Sequence, residues 1–295
     1  MLSSMLVSGL ITGTFYALMA LGLTMIFGVL RIVNFAHGEF YMIGGFAYVL
    51  LYHSLGVPIV AALPAAVVAG AALGWVVERL LIRPVYAEMG ARQQGRDEYA
   101  IIVTFALSIL LIAAMTKIVG PWSLQGPRLI DGPPLLIAGI RVSPHQLAAL
   151  GIALFFLLGT LYLLNYSLWG RQIRAVAQNR SAAAVMGVDV GKVSTIVFAT
   201  AGGLAALAGA LLSNMISPSP DVGAFPAIKS YVIIVLGGLG SPLGALIGGL
   251  LLGVIENLGA IYISFSYRDT YGLVLLVVIL LVRPNGLFGE MRREV

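Results

Sequence analysis

Long apolar segments, separated by short polar stretches, follow one another along almost the whole chain. The pattern delimits nine of them, and they are 5–29, a second ending near 52, 57–81, 100–119, 144–166, 192–216, 227–239, 245–264 and 271–282. Several approach or exceed the roughly 18 apolar residues that a helix needs to cross the hydrocarbon of a membrane. The pattern therefore predicts an all-α, polytopic membrane protein of eight to ten hydrophobic segments in one domain, residues 1–295.

Two breaks interrupt the apolar pattern near the C-terminus, at 217–226 and at 237–244. The segment between them is too short to cross a membrane alone, which predicts a half-helix or a re-entrant helix. Interrupted helices are the best sequence indicator of a transport pathway, because their free backbone groups must face protein or water. The glycines of the second break allow either close helix packing or a moving gate, and they are Gly237, Gly238, Gly240 and Gly244.

Polar residues interrupt two of the segments. Asn34, His37 and Glu39 follow the first segment, and Glu256 and Asn257 lie within 245–264. An ionisable side chain inside a membrane is costly and is a functional candidate by default. We expect the first group near the membrane interface, either in a packing network that includes Arg31 or in contact with a substrate. Glu256 is expected either to line a pathway or to pair across helices with a basic residue of another subunit.

A short hairpin is expected in the Pro- and Gly-rich stretch 120–143. The sequence LLIAGIRV has strand-forming residues on both sides of Ala138 and Gly139. This hairpin would lie between two membrane segments.

Composition excludes several classes of protein. With 60% hydrophobic and 10% charged residues, the chain has too few charged side chains to form the surface of a soluble domain of this size. It has no cysteine for a disulfide or a thiolate metal site, its three histidines are scattered, and no cofactor motif is present. The stretch GVDVGKV lacks the spacing and the Ser or Thr of a phosphate-binding loop, so any ATP hydrolysis must occur on a partner. We expect a transport protein and not an enzyme.

The 17 basic residues are distributed unevenly between the two sides of the predicted bundle. The larger group is Arg31, Arg79, Arg83, Arg92, Arg96, Arg171, Arg174, Arg180, Lys192, Arg283, Arg292 and Arg293, and the smaller is Lys117, Arg128, Arg141, Lys229 and Arg268. By the positive-inside rule the first group is cytoplasmic, with the N-terminus outside and the C-terminus inside. The net charge of +5 thus reports topology and not nucleic-acid binding.

The stretch Gly170–Val188 has a polar, basic face in an otherwise apolar chain. Its alanines favour a helix over about 171–187, and Gly187 suits the position after the helix end. We expect a partner protein to bind there, on Arg171, Arg174, Ala175, Gln178, Asn179, Ala182, Ala183 and Gly187. The alternative is a helix lying on anionic lipid, but the stretch has no Phe, Trp or Leu to anchor it.

Four blocks of the chain resemble one family. Ser181–Gly187 resembles the cytoplasmic coupling motif of ABC importer permeases at Ala182, Ala183 and Gly187, although Ser181 replaces its acidic residue. GLTMIFGVLRIVNFAHGEFYMIGG, GRQIRAVAQNRSAAAVMGV, VLGGLGSPLGALIGGLLLGVIE and LVRPNGLFG together are similar to the high-affinity branched-chain amino acid permeases of the LivH type.

This resemblance implies the fold of the second class of ABC importers, in a bacterial plasma membrane. It implies a second permease subunit, two cytoplasmic ATP-binding subunits and an extracytoplasmic substrate-binding protein, with Gln178–Gly187 as the coupling helix. The cargo would be branched-chain amino acids, or alternatively urea, short amides or aromatic acids. A channel or an ion-coupled carrier that works alone is the rival class, and a structural scaffold is a third. Alternating access would be driven by ATP, with helix ends at the breaks meeting the zwitterionic substrate.

Overall fold

A computed structural model describes residues 2–84, 93–137 and 140–289 of this 295-residue chain. In these ranges the chain forms eleven α-helices and one small sheet. The helices are α1 (Leu2–Leu30), α2 (His37–His53), α3 (Ile59–Val77), α4 (Gln93–Val119), α5 (Pro144–Tyr166), α6 (Leu168–Gln178), α7 (Arg180–Val185), α8 (Val190–Leu212), α9 (Ala224–Gly237), α10 (Pro242–Tyr262) and α11 (Arg268–Val282). Helix α3 continues as a π-helical turn, Glu78–Ile82, and a 3₁₀ turn, Phe265–Tyr267, precedes α11.

Nine of these helices match the nine apolar segments predicted from the sequence. Seven segments of the described chain are long and apolar enough to cross a membrane, and α9 is a shorter apolar helix. Helix α2, with 17 residues, is also short of a full span. The prediction of an all-helical, polytopic membrane protein with broken helices is confirmed.

The predicted hairpin is also present. Strands β1 (Leu135–Ile137) and β2 (Ile140–Val142) pair antiparallel, with Leu135 opposite Val142. The turn at Ala138 and Gly139 lies outside the described residues. We call the end of the bundle that holds this hairpin the hairpin side, and the opposite end, which holds α6 and α7, the basic side.

Helices α1 and α8 form the centre of the bundle, and each is 78% buried over its most apolar window. Small residues allow this close packing: the backbone of α10 passes so near α1 that a Cβ on Gly13 would overlap the carbonyl oxygen of Gly249. Helices α4 and α11 lie at the periphery and are only 11% and 6% buried. Their large exposed apolar faces are available to lipid or to another subunit.

Candidate functional site

Two helices begin part-way through the bundle and run in opposite directions. After α1 the chain turns back through non-helical residues 31–36, and α2 then runs to the hairpin side. After α8 the chain turns back through 213–223, and α9 then runs to the basic side. The arrangement is that of an inverted pair of discontinuous helices, which frees backbone groups inside a membrane protein.

The N-termini of α2 and α9 meet backbone to backbone. A Cβ on Gly38 would overlap the carbonyl oxygen of Gly223, and a Cβ on Gly223 would overlap the carbonyl oxygen of Gly38. We call this contact the Gly38–Gly223 junction. No larger residue fits at either position without separating the two helices, so both positions require glycine.

The junction lies at the middle of the spanning helices. A Cβ on Gly22 of α1 would lie 3.0 Å from the carbonyl oxygen of Ala201 and 3.3 Å from Cε1 of His37. Ala201 is the central residue of α8. The expectation that Asn34, His37 and Glu39 lie near the membrane interface is therefore wrong. The chain reverses its direction through residues 31–36, beginning at Arg31 with a φ of 59°, and this non-helical stretch brings the start of α2 to the level of Met19 and Gly22.

Three polar side chains at the start of α2 are buried and each has an atom without a hydrogen-bond partner, namely Asn34, His37 (Nδ1) and Glu39. Glu39 accepts a hydrogen bond at Oε1 from Ser108 Oγ (2.6 Å), but its Oε2 has no partner. Asn34 accepts at Oδ1 from the N–H of Ala36 (3.1 Å), but its Nδ2 has no partner. The side chain of Glu39 is aimed at α9, since its Oε2 lies 3.0 Å from where a Cβ of Gly223 would be.

Aromatic rings lie beside the start of α2, near Asn34 and Glu39. Tyr231 of α9 donates from its hydroxyl to the carbonyl oxygen of Asn34 (2.6 Å). The ring of Phe35 lies 5.7 Å from that of Tyr231 and 6.3 Å from that of Phe105 on α4. The polar atoms of Asn34 and Glu39 are thus next to an apolar wall, the usual make-up of a small-molecule site.

His37 has a more structural setting. Its ring is fully buried, Nε2 lies 3.0 Å from the carbonyl oxygen of Met19, and the ring packs edge-on against Phe40. These contacts fasten the start of α2 to the middle of α1.

Glu256, the other predicted pathway residue, has a cationic partner in the same chain. Lys229 of α9 forms a short ion pair with Glu256 Oε1, and Tyr16 donates to Glu256 Oε2 at 3.2 Å. Lys229 also pairs with Asp269 at 3.0 Å, where α11 begins. Lys229, counted above with the loops of the hairpin side, is therefore a buried residue inside α9. Asn257 donates to the carbonyl oxygen of Gly253 in its own helix (2.8 Å) and stays outside this cluster.

The four predicted gate glycines form a packed turn on the basic side. Gly237 and Gly244 contact each other so closely that a Cβ on either would overlap the other's carbonyl oxygen. Gly238 and Gly240 have φ values of 102° and 84°, which only glycine adopts readily. The C-terminal stretch completes the turn: the N–H groups of Leu287 and Phe288 donate to the last carbonyl groups of α9. These contacts are those of a packed joint.

The predicted amphipathic helix is two helices. Asn179 ends α6 and begins α7, because its Oδ1 accepts the N–H of Ala182 (2.9 Å) as an N-cap. At the other end Gly187, with φ 85°, and Val188 donate to the carbonyl oxygens of Ala184 and Ala183, the pattern of a Schellman cap. The single helix over 171–187 is thus replaced by a bend at Asn179.

The predicted docking residues divide into exposed and packed positions. Exposed positions on α6, α7 and their caps are Arg171, Arg174, Gln178, Asn179, Ala182 and Gly187. Ala175 is half-buried, and Ala183 is buried against the bundle, so Ala183 is not available to a partner. Arg174 also donates to the carbonyl oxygen of Leu164, which ties α6 to the end of α5. Arg31 donates to the carbonyl oxygen of Ala177 (3.3 Å) and ties α6 to the corner where α1 ends.

Sequence reasoning missed the apolar part of this surface. Val185 and Met186 are 87% and 83% exposed at the end of α7. Adjacent apolar side chains on the polar side of a bundle indicate a protein contact. Val185 and Met186 are visible in the sequence, but they are smaller or more flexible than the Phe, Trp and Leu that usually anchor a helix on lipid.

Most of the chain matches one family model. The family is described as branched-chain amino acid transport system / permease component, and the match covers residues 5–283. The chain belongs to this family. Members of this branched-chain amino acid permease family are transport subunits, which agrees with the absence of catalytic motifs predicted from the sequence.

Curated relatives extend over nearly the full chain. The high-affinity branched-chain amino acid transport system permease protein LivH of Salmonella typhimurium is 32% identical over 97% of this chain and 95% of its own length. The permease protein BraD of Pseudomonas aeruginosa is 32% identical over 98% and 96%. The fructose import permease protein FrcC of Rhizobium meliloti is 36% identical over 41% of this chain and 35% of its own. No solved structure matches the chain.

Proposed function

We propose that this chain is the membrane-spanning subunit of an ATP-driven importer of branched-chain amino acids. The observation that carries the proposal is the Gly38–Gly223 junction, where two discontinuous helices meet inside the membrane in a member of the permease family. Such helix starts provide a substrate site at mid-depth in transporters. The full-length similarity to LivH and BraD supports the cargo, since both are named as branched-chain amino acid permeases.

The basic side faces the cytoplasm in this proposal. Those members of the larger group of Lys and Arg residues that the structure describes lie toward that side, which supports the orientation by the positive-inside rule. The N-terminus is then extracytoplasmic and the C-terminus cytoplasmic. Fusion of a reporter that is active only in the cytoplasm to the end of α7, and separately to the β1–β2 turn, tests this orientation.

Two cytoplasmic ATP-binding subunits supply the energy, one docked on α6 and α7 of this chain and one on a second permease subunit. The exposed pair Val185 and Met186 fits the apolar part of a groove, and the surrounding arginines add charge complementarity. A substrate-binding protein delivers the amino acid on the hairpin side.

The hydrogen bond of Arg31 transmits movement of α6 and α7 to the Gly38–Gly223 junction. This residue joins the carbonyl end of α6 to the corner at which the chain turns back toward the junction. When the ATP-binding subunits close, α6 and α7 move with them, and the stretch 31–36 is displaced. Separation of α2 from α9 then exposes the site alternately to the two sides.

Mild-detergent purification of the complex, followed by mass spectrometry, tests the docking surface. We expect Met186→Glu to reduce recovery of the ATP-binding subunit by about tenfold or more, since it buries a charge in an apolar contact. Leu136→Glu, at an exposed residue of the hairpin, is the matched control and leaves recovery unchanged. Equal recovery with Met186→Glu and wild type would contradict the assigned surface.

A further inference from the structure

Three buried side-chain atoms at the start of α2 have no hydrogen-bond partner, Nδ2 of Asn34, Nδ1 of His37 and Oε2 of Glu39, and the first and the last have opposite character. Asn34 Nδ2 can only donate hydrogen bonds, and Glu39 Oε2 can accept them. Both residues are almost fully buried, Asn34 at 0% exposure and Glu39 at 4%. Buried polar groups are normally paired, so a pair of unsatisfied atoms at a helix junction calls for a ligand that supplies the missing partners.

The two residues are close to each other. Thr104 Oγ1 accepts the N–H of Phe35 (3.1 Å), and Ser108 Oγ donates to Glu39 (2.6 Å). Thr104 and Ser108 are one turn apart on α4, roughly 6 Å, so the backbone after Asn34 and the carboxyl group of Glu39 bond to neighbouring positions on one face of the same helix. One small molecule can reach both.

The surroundings define the chemistry of that molecule. The N-terminus of α9 at Gly223 adds the positive end of a helix dipole beside Oε2 of Glu39. The rings of Phe35, Phe105 and Tyr231 provide an apolar wall. A ligand with an ammonium group, a carboxylate and an aliphatic side chain satisfies every one of these features.

We propose that Asn34 and Glu39 form the zwitterion subsite of the transport pathway. Glu39 binds the α-ammonium group of the amino acid, Asn34 donates its amide hydrogens to the α-carboxylate, and the side chain packs against Phe35. The proposal rests on the proposed function and assigns the substrate class to particular residues. The site is closed here, since the Gly38–Gly223 junction leaves no space, and it opens when α9 moves away from α2.

The test uses the complete transporter in proteoliposomes, with both permease subunits, both ATP-binding subunits and the binding protein. Uptake of radiolabelled leucine and binding-protein-stimulated ATP hydrolysis are measured for wild type, Glu39→Gln and Asn34→Asp. We expect both variants to lose leucine uptake by about tenfold or more while ATP hydrolysis continues, since each removes a charge-assisted contact with the substrate alone. Asn257→Asp, at an amide that bonds within its own helix, is the matched control and keeps at least half of wild-type uptake.

Three results separate the proposal from its alternatives. If both Glu39→Gln and Asn34→Asp take up leucine at the wild-type rate, Nδ2 of Asn34 and Oε2 of Glu39 bind only water. This result would overturn the subsite but would not contradict the proposed function. No amino-acid uptake by the wild-type transporter would overturn both. Parallel loss of uptake and of ATP hydrolysis in both variants would indicate a structural role and would also overturn the subsite.

A second measurement remains decisive if those variants do not assemble. The chain has no cysteine, so Ser108→Cys introduces a unique thiol beside Glu39. Its modification by a small thiosulfonate reagent is followed on this chain by mass spectrometry during ATP turnover. We expect leucine to slow the modification and 4-methylpentanoate, which lacks the ammonium group, to leave it unchanged. Equal protection by both compounds, or by neither, would overturn the proposal.

Discussion

Two groups of buried polar side chains in the described chain differ in how completely they are paired. In the first half of α9, Lys229 is bonded to Glu256 and Asp269, and Tyr16 donates a hydrogen bond to Glu256. At the start of α2, Asn34 and Glu39 each keep an atom without a partner. The first group holds four helices together, whereas the second has the unpaired atoms to which we assign a ligand.

This difference in pairing distinguishes a structural ionisable residue inside a membrane from one that can bind a ligand. Burial alone marked both Glu39 and Glu256 as functional candidates. Pairing separates them: a charge with an internal counter-ion stabilises the fold, and a charge with a free atom beside an interrupted helix can bind a substrate.

The largest expected effect is at the paired group. Lys229→Met leaves Glu256 buried without its cation, and removing one partner of a buried ion pair costs about 3–5 kcal/mol. We expect a large loss of thermal stability in detergent, measured as loss of the monodisperse complex on heating. The double variant Lys229→Met and Glu256→Met recovers most of it, because no unpaired charge remains. A single variant as stable as wild type would contradict the structural role of this pair.

The next effect is at the Gly38–Gly223 junction. Gly38→Ala places a methyl group into the carbonyl group of Gly223, which forces the two helix starts apart. We expect loss of leucine uptake, and a destabilisation of about 1–3 kcal/mol typical of overpacking. Gly151→Ala in α5 is the control, since a Cβ there meets nothing within 4 Å. If the two alanine variants transport equally, the junction is not part of the moving pathway.

The smallest effect on stability is expected at Glu39, where it can be compared directly with the effect at Glu256. Glu39→Gln keeps the size of the side chain and can keep the bond to Ser108, so we expect stability to change by about 1 kcal/mol or less. Glu256→Gln, measured in the same thermal assay, removes the counter-charge of Lys229 and is expected to cost more. Equal destabilisation by the two variants would remove the distinction between the paired and the unpaired group.

Much of the fold could be predicted from the sequence, because hydropathy reports it directly. The spans, the short segment before Gly237 and the hairpin at Leu135–Val142 all follow from local patterns. The depth of α2 did not follow, since it depends on how the non-helical residues 31–36 reverse the chain, and hydropathy does not report that path.

The site residues were identified in part, for a related reason. Polar residues within apolar segments directed attention to Asn34, Glu39 and Glu256. Their partners are distant in sequence: Lys229 is 27 residues from Glu256, and Ser108 is 69 residues from Glu39. Contacts of this kind depend on how the helices pack, and no local pattern encodes that packing.

The most direct test of ATP-driven import is leucine uptake into proteoliposomes that contain the assembled transporter. Uptake is measured with and without ATP on the side of the membrane that holds the ATP-binding subunits. We expect uptake that requires ATP, the two ATP-binding subunits and the binding protein. We also expect this uptake to be lost when Met186→Glu prevents the ATP-binding subunit from docking on α6 and α7. Uptake of the same rate by this chain alone, without ATP or partners, would contradict it and would make the protein a carrier that works by itself.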